Sequence, residues 1–271
     1  MPFVQPTPED CTTNQIDVVR DGHILRVTLN DPENLNVFDE NSERAFRALF
    51  EAIQLDEETR VVVLTGTGTA FNAGGNVGLN LNYNASHKLA NKILGNARRM
   101  VMAMLDCEKP ILARINGDAV GLGATIALLC DITFMVDTAR IGDPHIKVGL
   151  VAGDGGALIW PLLVGPARAK QYLLSGDLLT APEAAAMGLV NFSVPADELD
   201  ALVDKWANRL ARSAPHAIQG TKAAINAAIK LNAAAALDLG FAREAVSISS
   251  KDLVEAVNSF YEKRRPDFQG E

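Results

Sequence analysis

Apolar and polar positions along this chain follow two different periods, and the change of period divides it. Ile24 to Leu29 (Ile-Leu-Arg-Val-Thr-Leu) has the composition of a strand, with a partner over Gln15 to Arg20. Asn30-Asp31-Pro32-Glu33-Asn34 is a turn, because proline fixes φ and Asx side chains cap tight bends. From Asp39 to Asp56 the apolar residues Ala45, Phe46, Leu49, Phe50 and Ile53 recur at helical spacing. Arg60 to Thr65 (Arg-Val-Val-Val-Leu-Thr) is a β-branched run of the buried, parallel-strand type, ended by Gly66-Thr67-Gly68. A helix over Lys88 to Asp106, a strand over Pro110 to Asn116, a helix over Gly123 to Leu129 and a strand over Asp131 to Asp137 continue the alternation. Beyond Pro166 the pattern is mainly helical: Pro166 to Ser175, Pro182 to Met187, Leu199 to Ala211, Ala217 to Leu231 and Ala233 to Ser249. The prediction is an α/β core followed by a C-terminal helical segment.

Composition narrows the class. At 271 residues, 48% hydrophobic and 21% charged, the chain can bury a substantial core and reads as globular rather than disordered. A formal net charge of -8 without a Lys/Arg cluster argues against nucleic acid as a partner. Met1 to Asp10 carries neither the basic nor the apolar region of a secretory signal, and no apolar run is long enough to span a bilayer. The expectation is a cytoplasmic protein without a membrane partner, in which the sequons at Asn84 and Asn191 carry no meaning. Cys11, Cys107 and Cys130 are odd in number and widely spaced, so thiols are expected rather than disulfides or a zinc site. No metal or cofactor is implied.

The chemistry concentrates in two glycine-rich runs. Ile141 to Gly156 sets His145 and Asp154 nine positions apart among glycines that let backbone approach a ligand. Backbone N–H groups there can face developing negative charge, while His145 can move a proton near neutral pH. The run Gly117 to Thr125 is built in the same way, and the pair suggests one pocket lined by backbone. Familiar motifs are missing. Gly66-Thr67-Gly68-Thr69-Ala70-Phe71 has Phe where a dinucleotide fingerprint needs its third glycine, and there is no phosphate loop, Gly-x-Ser-x-Gly elbow or His-Glu-x-x-His.

Four segments, in order along most of the chain, resemble the crotonase (enoyl-CoA hydratase/isomerase) superfamily. They are the early turn Leu29 to Asn36, the loop Thr69 to Asn76, the loop and helix Asn116 to Asp131, and the tail Lys251 to Phe268. The resemblance implies a crotonase-like spiral of ββα units over 1–198 and a C-terminal helical trimerisation segment over 199–271, with trimers that pair into hexamers. It also implies an oxyanion hole made by the backbone N–H groups of Gly75 and Leu122, which would hold a thioester or ketone oxygen as an enolate forms. Leu122 stands where the family more often has glycine, so its side chain must turn away from the ligand. Asn76 replaces a frequent aspartate.

The family's hydratases position water with two glutamates, which would fall at Thr125 and His145; neither is a carboxylate here. On that ground ordinary alkene hydration is disfavoured. His145, Asp154 and Glu244 resemble instead the set found in carbon–carbon bond hydrolases of the superfamily, which open β-diketones such as 6-oxocamphor. Carried onto this chain, His145 would activate water, Asp154 would support the imidazolium and Glu244 would bind or relay a proton. Hydrolytic, retro-Claisen cleavage of a β-diketone or β-ketoacyl substrate is thus the first expectation. An enoyl-CoA hydratase/isomerase is the alternative, with coenzyme A entering as part of the substrate, and a catalytically silent scaffold is the second.

Each candidate also has an ordinary structural role. His145 can be a loop residue beside Pro144, Asp154 a helix N-cap and Glu244 a solvated helix residue. Thr125 suits a pocket wall or a hydroxyl bonded to its own backbone, and Trp160 a core position as readily as a substrate pocket. His23, His87 and His216 lack partners at useful spacing and are read as surface residues.

Overall fold

Three stretches dominated by Val, Ile and Leu become the centre of a parallel sheet, and short strands after each of them build a second one. The structure is a computed structural model that describes residues 6–76 and 80–271. An antiparallel pair opens it, β1 (Ile16–Asp21) with β2 (Ile24–Leu29), and helix α1 (Glu40–Leu55) follows. Asp39 caps α1 through a capping box with Ser42, satisfying the first free N–H groups of the helix.

Three ββα units come next. The first is β3 (Val61–Gly66), β4 (Ala70–Asn72), α2 (Asn80–Asn84) and α3 (His87–Asp106); the second is β5 (Ile111–Ile115), β6 (Asp118–Val120) and α4 (Leu122–Leu129). The third is β7 (Ile132–Val136), β8 (Arg140–Gly142) and α5 (Gly156–Ser175). Each unit adds one strand to a six-stranded sheet, ordered β1-β2-β3-β5-β7-β10, and one to a four-stranded sheet, ordered β4-β6-β8-β9. The strands β9 (Leu179–Thr180) and β10 (Phe192–Val194) flank α6 (Ala181–Ala186) and finish the two sheets. All pairings are parallel except β1 with β2 and β8 with β9. This is the expected crotonase spiral.

Helices α7 (Ala196–Ala211), α8 (Pro215–Ile248) and α9 (Lys251–Tyr261) complete the chain. α7 lies on the six-stranded sheet and buries Leu199, Val203 and Ala207. The two helices expected over Ala217 to Leu231 and Ala233 to Ser249 are one, α8, because Asn232 neither breaks nor caps and donates to the Ala228 carbonyl one turn back. Near the start of α8, buried Lys222 reaches Asp131 at 2.6 Å and the Lys109 carbonyl at 2.8 Å, and Asn226 donates to the Leu105 carbonyl. The helix thus enters the core polar end first, and Glu244 lies near its far end. The cysteines are free thiols, and no described helix is long and apolar enough to cross a membrane.

Candidate active site

The early turn is a brace for the loop that follows β4. Asn36 takes left-handed backbone (φ 56°), which asparagine tolerates, and is buried. Its Nδ2 donates to the carbonyls of Thr67 at 2.8 Å and Ala70 at 2.9 Å. Asn72 donates back to the Asn36 carbonyl and accepts from the Gly74 N–H at 2.7 Å. Phe38 N–H donates to the Gly74 carbonyl at 2.9 Å in a parallel bridge to Gly75. In such a bridge the neighbours of Gly75 face Phe38, so the Gly75 amide points the other way. Gly74 is required: its φ is +93°, and a Cβ there would stand 2.9 Å from the Val120 carbonyl oxygen and 3.6 Å from the Leu122 nitrogen. The loops that carry the two expected oxyanion donors therefore touch.

Leu122 opens α4, and the first N–H groups of a helix have no partner within it. Leu122 is 5% exposed and belongs to the hydrophobic core. Gly75 and Leu122 both line a cavity of about 210 Å³. Among the described residues, a Cβ on Gly75 would meet no atom within 4 Å beyond its chain neighbours.

The same cavity receives His145, Asp154 and Glu244 from three different elements. His145 starts the 3-10 turn His145–Val148. Its Nδ1 is hydrogen-bonded to Asp143 Oδ1, and its Nε2 lies 3.5 Å from Asp154 Oδ2. Asp143 is buried, and its Oδ2 presses so closely on Gly156 that a Cβ there would overlap it. Asp154 accepts from Thr125 Oγ1 at 3.2 Å and from the Gly156 backbone N–H. Both aspartates thus sit at the N-terminus of α5, whose dipole favours negative charge. The N-cap position itself belongs to Gly155, not to Asp154.

Electrostatics follow from this packing. Burial alone would lower the His145 pKa, but the charges of Asp143 and Asp154, the Asp143 hydrogen bond and the charge of Glu244 override it and hold it well above its usual value. These surroundings favour the imidazolium over the neutral imidazole that a water-activating base would need. Burial raises Asp154, with His145 and the hydrogen bonds pulling the other way. Burial, reinforced by the charge of Asp154, raises Glu244 well above the carboxylate range, which favours its protonated form. Asp143, His145 and Asp154 each place a potential metal-ligand atom within 4.8 Å of the others, and a metal there would have to displace the imidazole proton.

Two residues missed from the sequence complete the set. Asp143 lies within the glycine-rich run, two positions before His145, and the spacing that drew attention to Asp154 passed over it. Glu43, on the first turn of α1, is buried and lines the cavity; burial and the charge of Asp154 push its pKa up to about 8. It occupies a polar position of the α1 pattern, so no sequence signal marked it.

Other candidates move. Trp160 is fully buried, its ring 6.1 Å from that of Tyr172, and it does not line the cavity; α5 turns it into the core. Thr125 is likewise behind the cavity wall, and its hydroxyl serves Asp154 rather than its own helix. Asn76 is exposed at the cavity rim. His23, His87 and His216 are exposed.

Residues 20–271 match the family described as Enoyl-CoA hydratase/isomerase. A short-chain-enoyl-CoA hydratase of Clostridium acetobutylicum is 33% identical over 93% of this chain and 96% of its own length. A 2,3-dehydroadipyl-CoA hydratase of Escherichia coli is 32% identical over 95% of this chain and 99% of its own. The crystal structure of an enoyl-CoA hydratase/isomerase from Mycobacterium paratuberculosis superposes with a TM-score of 0.87 at 34% identity, covering 91% of this chain and 98% of the other. With its spiral fold and a cavity that joins free amides to buried acids, the chain is an enzyme that belongs to the enoyl-CoA hydratase/isomerase family.

Proposed function

We propose that this enzyme transfers protons to and from a short acyl-CoA thioester, as an enoyl-CoA hydratase/isomerase. The observation that carries the reading is the placement of two buried carboxyls, Asp154 and Glu244, in the cavity that Gly75 and Leu122 line. Although neither 125 nor 145 is a carboxylate, Asp154 reaches the Thr125 hydroxyl, so the objection to hydration drawn from those two positions loses its force. The relatives named as hydratases point the same way.

The thioester oxygen would accept from the Gly75 and Leu122 amides. Donors fixed in a dry site contribute about 3–4 kcal/mol each to an oxyanion, some hundredfold or more in rate. Asp154 takes a proton from water as the water oxygen bonds to Cβ, the C=C π pair shifts to give the enolate, and Glu244 delivers its proton to Cα. His145, as imidazolium, holds Asp154 ionised until it accepts that proton. Dehydration runs the same steps backwards. A cavity of about 210 Å³ is smaller than typical small-molecule sites and suits a short acyl group, with the nucleotide outside. Exposed Leu231, Leu239 and Val246 on α8 fit the trimer or hexamer that the family resemblance implies.

Carbon–carbon cleavage of a β-dicarbonyl is the second reading, favoured by the convergence of His145, Asp154 and Glu244 on one cavity. Water would then add to a carbonyl, and the enolate would be the leaving group. A paired assay with crotonyl-CoA and a panel of β-diketones separates the two. Hydration of crotonyl-CoA to 3-hydroxybutyryl-CoA, reduced at least about 100-fold in Asp154→Asn, is expected. Ring opening of a diketone without coenzyme A, with crotonyl-CoA inert, would overturn the proposal.

A further inference from the structure

Glu43 has no part in the proton transfers just described, yet it occupies the same cavity. Its carboxyl is 6% exposed, and Oε2 is buried without a hydrogen-bond partner. Much of the lining of that cavity is apolar, including Phe38, Ile93, Leu94, Ala97 and Ile248. A buried carboxyl oxygen with nothing to bond costs about 1–3 kcal/mol, a cost that a merely structural position has no reason to keep. One polar group on an apolar wall is the arrangement by which binding sites fix the orientation of a ligand.

The charge state narrows what Glu43 can recognise. With its pKa near 8, the carboxyl is neutral at physiological pH and can both donate and accept. Asp154 and Glu244 line the same cavity, and the charge of Asp154 already raises the Glu43 pKa, so a second anion would be repelled there. We infer that Glu43 is a specificity residue that selects acyl groups carrying a neutral hydrogen-bonding oxygen, hydroxyl or keto, beyond the reacting Cα and Cβ atoms. The inference rests on the acyl-CoA reading above and names a substrate class within it.

Binding of saturated acyl-CoA thioesters tests it without any need for turnover. Calorimetry on the wild type would compare pentanoyl-CoA with 4-hydroxypentanoyl-, 5-hydroxypentanoyl- and 4-oxopentanoyl-CoA, and with anionic glutaryl-CoA. At least one neutral oxygenated ligand should bind about 10- to 100-fold more tightly than pentanoyl-CoA, and glutaryl-CoA more weakly. The preference should collapse to within about threefold in Glu43→Met and persist in Glu43→Gln, whose amide also donates and accepts. No preference in the wild type, tightest binding of glutaryl-CoA, or a preference that survives Glu43→Met would each overturn the inference. If a Glu43-dependent preference is seen but crotonyl-CoA is inert, the recognition stands and the hydratase/isomerase reaction fails. If no acyl-CoA binds, both fail.

Discussion

Replacing Asp143 by asparagine tests the electrostatic account of the site at its least exposed point. Asp143 is buried, holds His145 Nδ1 and supplies the largest of the charges that favour the imidazolium. The substitution keeps the shape and an acceptor oxygen but removes the charge. A charge-assisted hydrogen bond is worth about 1.5–3 kcal/mol, a factor of about 10 to 150 when it is expressed wholly as positioning. With that charge gone, burial, which opposes protonation, regains weight, so the His145 pKa must fall. The stability consequence has a definite sign. A histidine whose folded pKa is raised stabilises the fold fully below its unfolded pKa, near 6.5, and loses that contribution as pH climbs through the folded pKa. The variant should therefore be most destabilised in mild acid and approach the wild type in alkaline solution. An NMR titration of the His145 ring protons reads the pKa directly, and urea unfolding at a series of pH values reads the linkage. An unchanged pKa in Asp143→Asn, or a destabilisation that grows with pH, would refute the reasoning.

Two further substitutions probe neighbouring links. Thr125→Val removes the 3.2 Å hydrogen bond to Asp154 and should raise the Asp154 pKa further, moving the acid limb of the kcat/KM profile to higher pH; an unmoved limb would show that the hydroxyl does not tune Asp154. Lys222→Met leaves Asp131 without its cation, and since the aspartate side chain is 24% exposed the cost should be about 2–4 kcal/mol, seen as a Tm several degrees lower by calorimetry. An unaltered Tm would mean that the ion pair contributes no net stability.

The long elements were legible because their burial is periodic. The strand Ile24 to Leu29 matches β2 residue for residue, and Asp39 to Asp56 brackets α1 with its capping aspartate. The four-stranded sheet was not legible. β4, β6 and β8 have three residues each and β9 two, too few for any period to register, and parallel neighbours rather than local preference set them. The helix expected over Pro166 to Ser175 is the second part of α5, which bends at Gly165 with φ 78°. At the site, glycine spacing pointed to the right loops and to His145 and Asp154. It could not show that both imidazole nitrogens would face carboxylates, a placement that favours the imidazolium. Glu43 was illegible for a different reason: only the tertiary fold sets that side of α1 against the cavity.

The polar anchor of α8 has a consequence for how the site keeps its depth. Lys222 is pinned in the core, and Glu244 reaches the cavity on the same unbroken helix, so the segment between them works as a ruler about 33 Å long. Its graduations are coarse: one residue more or fewer would advance Glu244 by about 1.5 Å and swing it by about 100° around the axis, out of the cavity altogether. Point substitutions along the exposed side of α8 leave that measure untouched, whereas an insertion or deletion anywhere between the two residues displaces the acid together with Ile248 of the cavity wall. Helix length, fixed at one end by a buried lysine, is thereby as much a part of this enzyme's proton inventory as the carboxyl it carries.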